Sequence, residues 1–515
     1  MAIIGTLLKK GIKIAETLEQ EYSNPLELQK AELQKLLIHA RGTDFGRYYK
    51  FSEALSGFRS NDKQFYELFK ERVPIFDYNK IYNEWWCHCL DGKSNVCWPG
   101  KVTYFALSSG TSESSSKHIP ITNEMMKSIH KTSIRQILTL SKYEVDDSLF
   151  TSGILMLGGS TNLSHKGTYF EGDLSGITAS QLPFWFQHFY KPGKKISQNT
   201  DWNKRIDEIA AKAPDWKIGI VVGIPAWIQI MMERIIEYHN LDSIHDIWPD
   251  LSIYVHGGVS FDPYRKGFEK LFSKPMIYME TYLASEGFVA FQAQPNSKSM
   301  RIVLNNGIFY EFIPFNDDNF DAEGNLNDNP ETLTIEDVEE GREYALLLST
   351  NAGSWRYMIG DTIKFVSKEE SEIIITGRTQ HYLSLCGEHL SVDNMNRAIE
   401  LVSQEMNVSI KEFAVAGVPH GTMWSHEWYI GAEGEVSNDV LRDKIDSRLM
   451  ELNDDYKVER GSALKEVVVK SLPPSVFYDY MKQNGKVGGQ NKFPRVLKSQ
   501  NLKSWKSFLK EQSLY

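Results

Sequence analysis

The sequence predicts an α/β fold: a large N-terminal domain with mixed, largely parallel sheets and a β-rich portion, then a small C-terminal α+β domain. Three observations carry this. Between Val102 and Tyr282 short apolar runs alternate with amphipathic helical stretches, the pattern of strands joined by crossover helices. From Arg301 to Phe365 the pattern changes to hairpins, with Asn305-Asn306-Gly307 as a turn between Ile302-Val-Leu and Ile308-Phe-Tyr-Glu-Phe-Ile. Ile373–Thr376 then ends at Gly377-Arg378-Thr379, and helical and strand patterns begin afresh. The expected division is 1–376, a hinge at 377–380, and 381–515, the last a comfortable size for a small domain.

Bulk numbers agree with several folded units. A chain of 515 residues exceeds what one hydrophobic core serves, and 41% hydrophobic with 24% charged residues is ordinary for a globular protein. The net charge of −10 argues against a broad nucleic-acid footprint. No window approaches eighteen apolar residues, so no membrane span is expected. The start, Met1-Ala-Ile-Ile-Gly-Thr-Leu-Leu, is too short an apolar run for a signal peptide and has no basic segment before it. Four cysteines, Cys87, Cys89, Cys97 and Cys386, suggest a reducing compartment, and the expected location is cytoplasmic. Cys87-His88-Cys89 with Cys97 lacks paired C-x₂-C spacing, so buried free thiols are expected rather than zinc.

Along the chain, the first hundred residues read as helices. Asn24-Pro25 starts one whose stripe runs through Leu26, Leu28, Leu33, Leu36 and Leu37 to Ala40. A second covers Asp62 to Arg72, ended before Val73-Pro74. Val102–Leu107 reads as a strand ending in Ser108-Ser109-Gly110-Thr111-Ser112-Glu113-Ser114-Ser115-Ser116-Lys117, and the helix from Thr122 to Leu140 is taken as the context into which that loop runs. Buried strands follow at Gly153–Leu157, Lys217–Gly223 and Leu251–His256, with helices from Trp227 to Tyr238 and from Pro263 to Phe272. Pro275–Met279 is a short strand with Glu280-Thr281-Tyr282 beyond it. The Gly158-Gly159 and Gly257-Gly258 turns and Ser285-Glu286-Gly287 all fall at strand ends, where ligands of such sheets gather. Gly360-Asp361 is read as a turn.

The hydroxyl-rich loop can aim backbone N–H groups, hydroxyls and the Lys117 ammonium at one anion, as a polyphosphate requires. It is not a Walker A loop, since GxxxxGK[ST] is absent. Alone, the loop is equally a polar surface turn. Three further stretches follow it in order: Tyr282-Leu-Ala-Ser285-Glu286-Gly287, Tyr357-Met-Ile-Gly360-Asp361, and Gly488-Gly489-Gln490-Asn491-Lys492-Phe-Pro494-Arg495. Without that order, Tyr282 would be plain core, Glu286 a solvated carboxylate, Asp361 a turn residue and Lys492 surface charge.

In this order the four stretches resemble the adenylate-forming superfamily of acyl-CoA ligases and firefly luciferase. More closely, they resemble the auxin-responsive-promoter family of acyl acid amido synthetases. That resemblance implies ATP and Mg²⁺ as cofactors. It implies adenylation of a small carboxylic acid with release of pyrophosphate, then acyl transfer to an amino acid. Joining two anions calls for positive charge in the site. On this resemblance Ser108, Ser109, Gly110, Thr111, Ser112 and Lys117 would cradle phosphates. Gly257, Gly258, Thr281 and Tyr282 would lie near adenine, Asp361 and Arg378 would reach the ribose, Glu286 would hold Mg²⁺, and Lys492 would bridge the acid and the α-phosphate. Tyr169, Phe170, Trp185 and Phe186 are candidates for the acyl pocket.

The chain departs from the family at three places. Glu113 and Ser114 stand where the loop usually carries glycine, Ala284 replaces a serine of YxSSEG, and Met358 replaces the arginine of YRxGD, for which Arg356 could substitute. Two alternatives stay open: a coenzyme A or other thiol acceptor, and a degenerate nucleotide-binding protein without catalysis.

Overall fold

The computed structural model describes residues 24–59, 63–109, 116–143, 145–182, 186–259, 261, 264–321, 324–379, 382–434, 436–483 and 493–514. Chain contacts divide these into two compact units. The first comprises the chain up to Leu107 with His118–Ile224 and Met231–Thr379. The second comprises the chain from Gln380 with Pro225–Ile230 and the ends of the Ser108–Lys117 segment.

The first unit is organised by an 11-stranded sheet. In spatial order its strands are Ile308–Pro314, Glu343–Thr350, Tyr357–Ser367, Glu372–Arg378, Met300–Ile302, Gly287–Phe291, Ile277–Ala284, Ile253–Gly257, Ile218–Gly223, Gly153–Leu157 and Tyr190–Lys191. The last five pair in parallel and the rest are antiparallel, so the sheet is mixed, as the two sequence patterns predict. Ile218–Gly223, near the centre of the parallel part, reads as a continuous apolar run, and its first four residues are all buried.

Local signals explain the helices. In Pro25–Ala40 the Asn24 side chain accepts from Leu26 N–H at 2.8 Å, and proline fills the first turn. The buried Gln29 donates to the carbonyls of Leu304 and Ile308 and accepts from Tyr310 N–H. Those bonds tie this helix to the sheet's antiparallel end. Thr122 caps Asn123–Leu138 by accepting from Met125 N–H at 3.1 Å. Gln64–Arg72 and Pro225–His239 fall where periodicity placed helices, whereas Arg265–Glu269 is much shorter than the Pro263–Phe272 reading.

Three local expectations are corrected. The hydroxyl-rich segment does not run into a helix: Ser116–Ile121 is a strand beside Tyr104–Ser109, in a small sheet with Phe170–Gly172 and Ser164–His165. The strand reaching Met279 continues to Ala284, so Thr281 and Tyr282 lie within it rather than beyond its end. Gly360-Asp361 is no turn but the middle of the continuous strand Tyr357–Ser367, with Gly360 at φ +89°.

The second unit is α+β. Strands Ile410–His420, Met423–Ala432 and Leu464–Leu472 form a sheet, antiparallel then parallel. Helices Val392–Met406, Asn438–Leu452, Asp454–Gly461, Pro474–Gln483 and Ser499–Glu511 accompany it. One core cluster gathers Tyr429, Phe477, Phe493 and Trp505. Cys89, Cys97 and Cys386 are buried free thiols, and Cys87 is half-buried. Among the described residues no helix is long and apolar enough to cross a membrane.

Candidate nucleotide and acyl site

Three strands bring Asp361, Arg378 and Tyr282 together. Asp361 stands directly opposite Arg378 in the pairing of Tyr357–Ser367 with Glu372–Arg378. The Arg378 Nε lies 2.7 Å from Asp361 Oδ1, and the same guanidinium reaches the Ile359 carbonyl at 3.4 Å. From Ile277–Ala284 the Tyr282 hydroxyl donates to Asp361 Oδ2. Burial first, and then the Asp361 charge, push the Tyr282 phenol well above its ordinary range, so it remains a donor. Each carboxylate oxygen carries two lone pairs, so a carboxylate held this way is the kind of acceptor that a pair of hydroxyls needs.

Gly257 ends the strand beside Tyr282's own and pairs with Thr281. A Cβ at 257 would lie 2.3 Å from the Thr281 carbonyl oxygen, a contact only glycine avoids. Thr281 uses its hydroxyl hydrogen on the His256 carbonyl at 2.9 Å. Gly258 follows at φ +83°, in the left-handed region.

Glu286 occupies the tight turn between Ile277–Ala284 and Gly287–Phe291 and is nearly buried. Beside it is a cavity of about 10 Å³, lined also by Met125, Ser128, Asn306 and Asn351. That is room for one water at most. Asn351 donates to Ser128 Oγ at 2.9 Å. Among the described residues no group of three or more His, Cys, Asp or Glu side chains forms a metal cage.

The candidate acyl residues fall in two places. Tyr169 sits edge-on to Phe105 at 5.0 Å, and Phe170 stacks on Tyr104 at 5.8 Å and lies 4.6 Å from His165. Phe186 belongs to the short helical turn Phe186–His188. Trp185 lies outside the described residues. Ser108 and Ser109 end the strand Tyr104–Ser109, and Lys117 lies in Ser116–Ile121. Gly110, Thr111 and Ser112, with Glu113 and Ser114, lie outside the described residues, as does Lys492.

Arg356 does not replace the arginine missing at Met358. Its Nη2 is 2.9 Å from Glu311 Oε1, its Nε donates to both Glu311 oxygens, and its Nη1 donates to the Val73 carbonyl at 2.8 Å. The side chain is buried in that pairing, so it offers nothing to a nucleotide. Met358 itself packs on the apolar cluster of Ile313, Phe320, Ala345 and Leu347.

One group without a motif signal emerges next to Lys117. His118 Nε2 lies 3.1 Å from Glu171 Oε2, and Lys166 Nζ lies 3.1 Å from Glu171 Oε1. Sequence reasoning missed it because 53 residues separate His118 from Glu171.

Two solved structures share this architecture along nearly the whole chain. A GH3.15 acyl acid amido synthetase superposes with a TM-score of 0.58 at 16% identity, covering 95% of this chain and 94% of that one. A 2-hydroxyisobutyryl-CoA ligase in complex with 2-HIB-AMP and CoA gives 0.59 at 11%, covering 94% and 92%. The fold is the one these two enzymes share. Family models match residues 14–207 as a GH3 family N-terminal domain, 301–373 as its central domain and 393–501 as its C-terminal domain. The chain belongs to the GH3 family. Relatives include the jasmonoyl–L-amino acid synthetase JAR6 of Nicotiana attenuata, 23% identical over 417 residues, 68% of each chain. An indole-3-acetic acid-amido synthetase, GH3.2 of Arabidopsis thaliana, is 26% identical over 128 residues, 24% of this chain and 23% of that protein.

Proposed function

We propose that the protein is an acyl acid amido synthetase: it adenylates a small carboxylic acid with ATP, releases pyrophosphate, and transfers the acyl group to an amino acid as an amide. Membership of the GH3 family supports the reaction class. The observation that carries the site is Asp361, fixed by Arg378 and Tyr282 as the kind of acceptor that two ribose hydroxyls need.

In this reading Gly257 and Gly258 let the backbone approach adenine, with Thr281 and Tyr282 beside it. Ser108, Ser109, Gly110, Thr111, Ser112 and Lys117 hold the phosphates, and Lys492 bridges the acid's carboxylate and the α-phosphate. Glu286 and the loop hydroxyls are hard oxygen donors of the kind that suit Mg²⁺ carried in on phosphates, and the ion would supply positive charge there. The acid's apolar part lies among Tyr169, Phe170, Trp185 and Phe186. The division into 1–376, a hinge at 377–380 and 381–515 belongs to the same proposal, as does a cytoplasmic setting.

The test is acid-dependent ATP–pyrophosphate exchange across aryl, indolyl, jasmonate-like and fatty acids, each crossed with amino acids and coenzyme A, with products read by mass spectrometry. Amides support the reading; thioesters alone would replace the acceptor. Undiminished exchange in Lys492→Ala would remove Lys492 from the first step.

A second reading has one observation in its favour. Met358 leaves the YRxGD position without a cation, and Arg356 is committed to Glu311. Tight ATP binding with no pyrophosphate release for any acid would make the chain a nucleotide-binding protein without catalysis.

A further inference from the structure

Forming an amide from an amino acid poses a proton problem that adenylation does not. The acceptor arrives as an ammonium ion, which has no lone pair to attack with. One proton must leave before the C–N bond forms, and a positioned base does this best when its ordinary range lies near neutral pH.

His118 has the required features. It follows Lys117 in Ser116–Ile121, the strand by which the chain leaves the hydroxyl-rich segment. Its backbone N–H donates to the Tyr78 hydroxyl at 2.8 Å, which pins the strand at that point. The ring stands edge-on to Phe105 at 6.4 Å and to Tyr169 at 6.3 Å, so it is held from two sides. Its Nε2 lies 3.1 Å from Glu171 Oε2. A carboxylate there accepts from Nε2–H, which leaves the lone pair on Nδ1. The side chain keeps 24% of its surface exposed and Glu171 keeps 12%, so the pair is sheltered yet reachable.

The charged and titratable groups around His118 are Glu171 and Tyr169 from the strand beyond Tyr104–Ser109 and its approach, Lys166 from the turn before it, and Tyr78 from the Tyr78–Ile81 helix. Glu171 faces His118 with one oxygen and Lys166 with the other. Phe170–Gly172 pairs in parallel with Tyr104–Ser109, Tyr104 opposite Phe170 and Phe105 opposite Glu171. Glu171 and the candidate acyl residues Tyr169 and Phe170 therefore belong to one three-residue stretch.

We propose that His118, oriented by Glu171, is the general base for the amine in the second half-reaction. This rests on the amido synthetase reading above. His118 Nδ1 takes one proton from the ammonium, and the freed nitrogen lone pair forms the C–N bond to the acyl carbon. The C–O bond to AMP then breaks and AMP leaves with that electron pair. The nitrogen's second proton passes to water as the adduct collapses.

Hydroxylamine separates this role from a structural one, because it is already an uncharged nucleophile at neutral pH and needs no base to free it. The measurement is amide formation with an amino acid against hydroxamate formation with hydroxylamine, in the full chain, for wild type, His118→Gln and Glu171→Gln. Loss of a general base costs about 10²-fold or more. In His118→Gln the ratio of amide to hydroxamate is expected to fall by that order and to recover as pH rises toward the acceptor's own ammonium range. Glu171→Gln should shift the pH profile of amide formation without abolishing it. An unchanged ratio, or amide and hydroxamate falling together at every pH, overturns the proposal. If wild type makes no hydroxamate from any acid, the amido synthetase reading itself fails, and this inference falls with it.

Discussion

Arg356 and Glu311 form an ion pair at 2.9 Å with only 6% and 1% of their side chains exposed. Arg356 also sits at φ +42°, in the left-handed region, where its N–H donates to Ser349 Oγ at 3.0 Å and its carbonyl accepts from Phe76 N–H at 2.9 Å. The Tyr66 hydroxyl adds a bond to Glu311 at 3.0 Å. A buried pair with every donor matched holds the strand before Asp361 in place, and removing one partner leaves an uncompensated charge. Arg356→Met should therefore lower unfolding free energy by about 3–5 kcal/mol. Denaturant unfolding measures this. A small stability loss combined with a large loss of ATP affinity would return Arg356 to the nucleotide site.

Tyr282→Phe keeps the ring and removes the one hydroxyl on Asp361 Oδ2. A hydrogen bond to a charged group contributes about 1.5–3 kcal/mol, so nucleotide affinity should weaken about tenfold or more. Titration calorimetry with AMP and with ATP reads the change directly. Unaltered affinity would show that Arg378 alone holds Asp361.

These two positions mark where sequence reasoning reached and where it stopped. Helix starts at Asn24-Pro25 and Thr122 were legible because a cap and its target N–H lie within three residues. The parallel strands Gly153–Leu157, Ile218–Gly223 and Ile253–Gly257 were legible as apolar runs, whereas the two-residue Tyr190–Lys191 carries no such run. The strand through Gly360 was hidden because a glycine followed by an aspartate carries the composition of a turn, and it is pairing with Glu343–Thr350 on one side and Glu372–Arg378 on the other that makes it a strand. Ser116–Ile121 was hidden by Lys117 and Pro120, residues that suit an edge but carry no strand pattern. Tyr282–Asp361, 79 residues apart, and Arg356–Glu311, 45 apart, are consequences of topology, which no local spacing encodes.

Gly257 gives a sharper steric test than the other glycines of the site. Alanine there would drive a methyl group into the Thr281 carbonyl, which is backbone and cannot rotate away. Separating the strands enough to admit it should cost about 1–3 kcal/mol. Gly257→Ala should also weaken nucleotide binding if adenine lies on this turn. Thermal unfolding with and without ATP distinguishes the two effects, and a variant as stable as wild type would contradict the close approach.

Glu388 and His426 give the second unit a pH-dependent anchor. Both side chains are 0% exposed, and His426 Nε2 lies 3.0 Å from Glu388 Oε1. The N–H groups of Leu385 and Cys386 also donate to the carboxylate. Burial pushes the Glu388 carboxyl up, but the hydrogen bond and charge of His426, with the Cys386 N–H, outweigh it and hold the group at about 2 against an ordinary 4.5. Because the folded value lies below the unfolded one, the stabilisation is present above the ordinary carboxylate range. It drains away as pH falls from 4.5 toward 2. The difference corresponds to about 3 kcal/mol at neutral pH. Glu388→Gln should lose about that much near neutrality, and the gap to wild type should close as the medium is acidified. Tryptophan-fluorescence unfolding at a series of pH values measures both, and a gap that stays constant down the series would mean the carboxylate's charge contributes nothing.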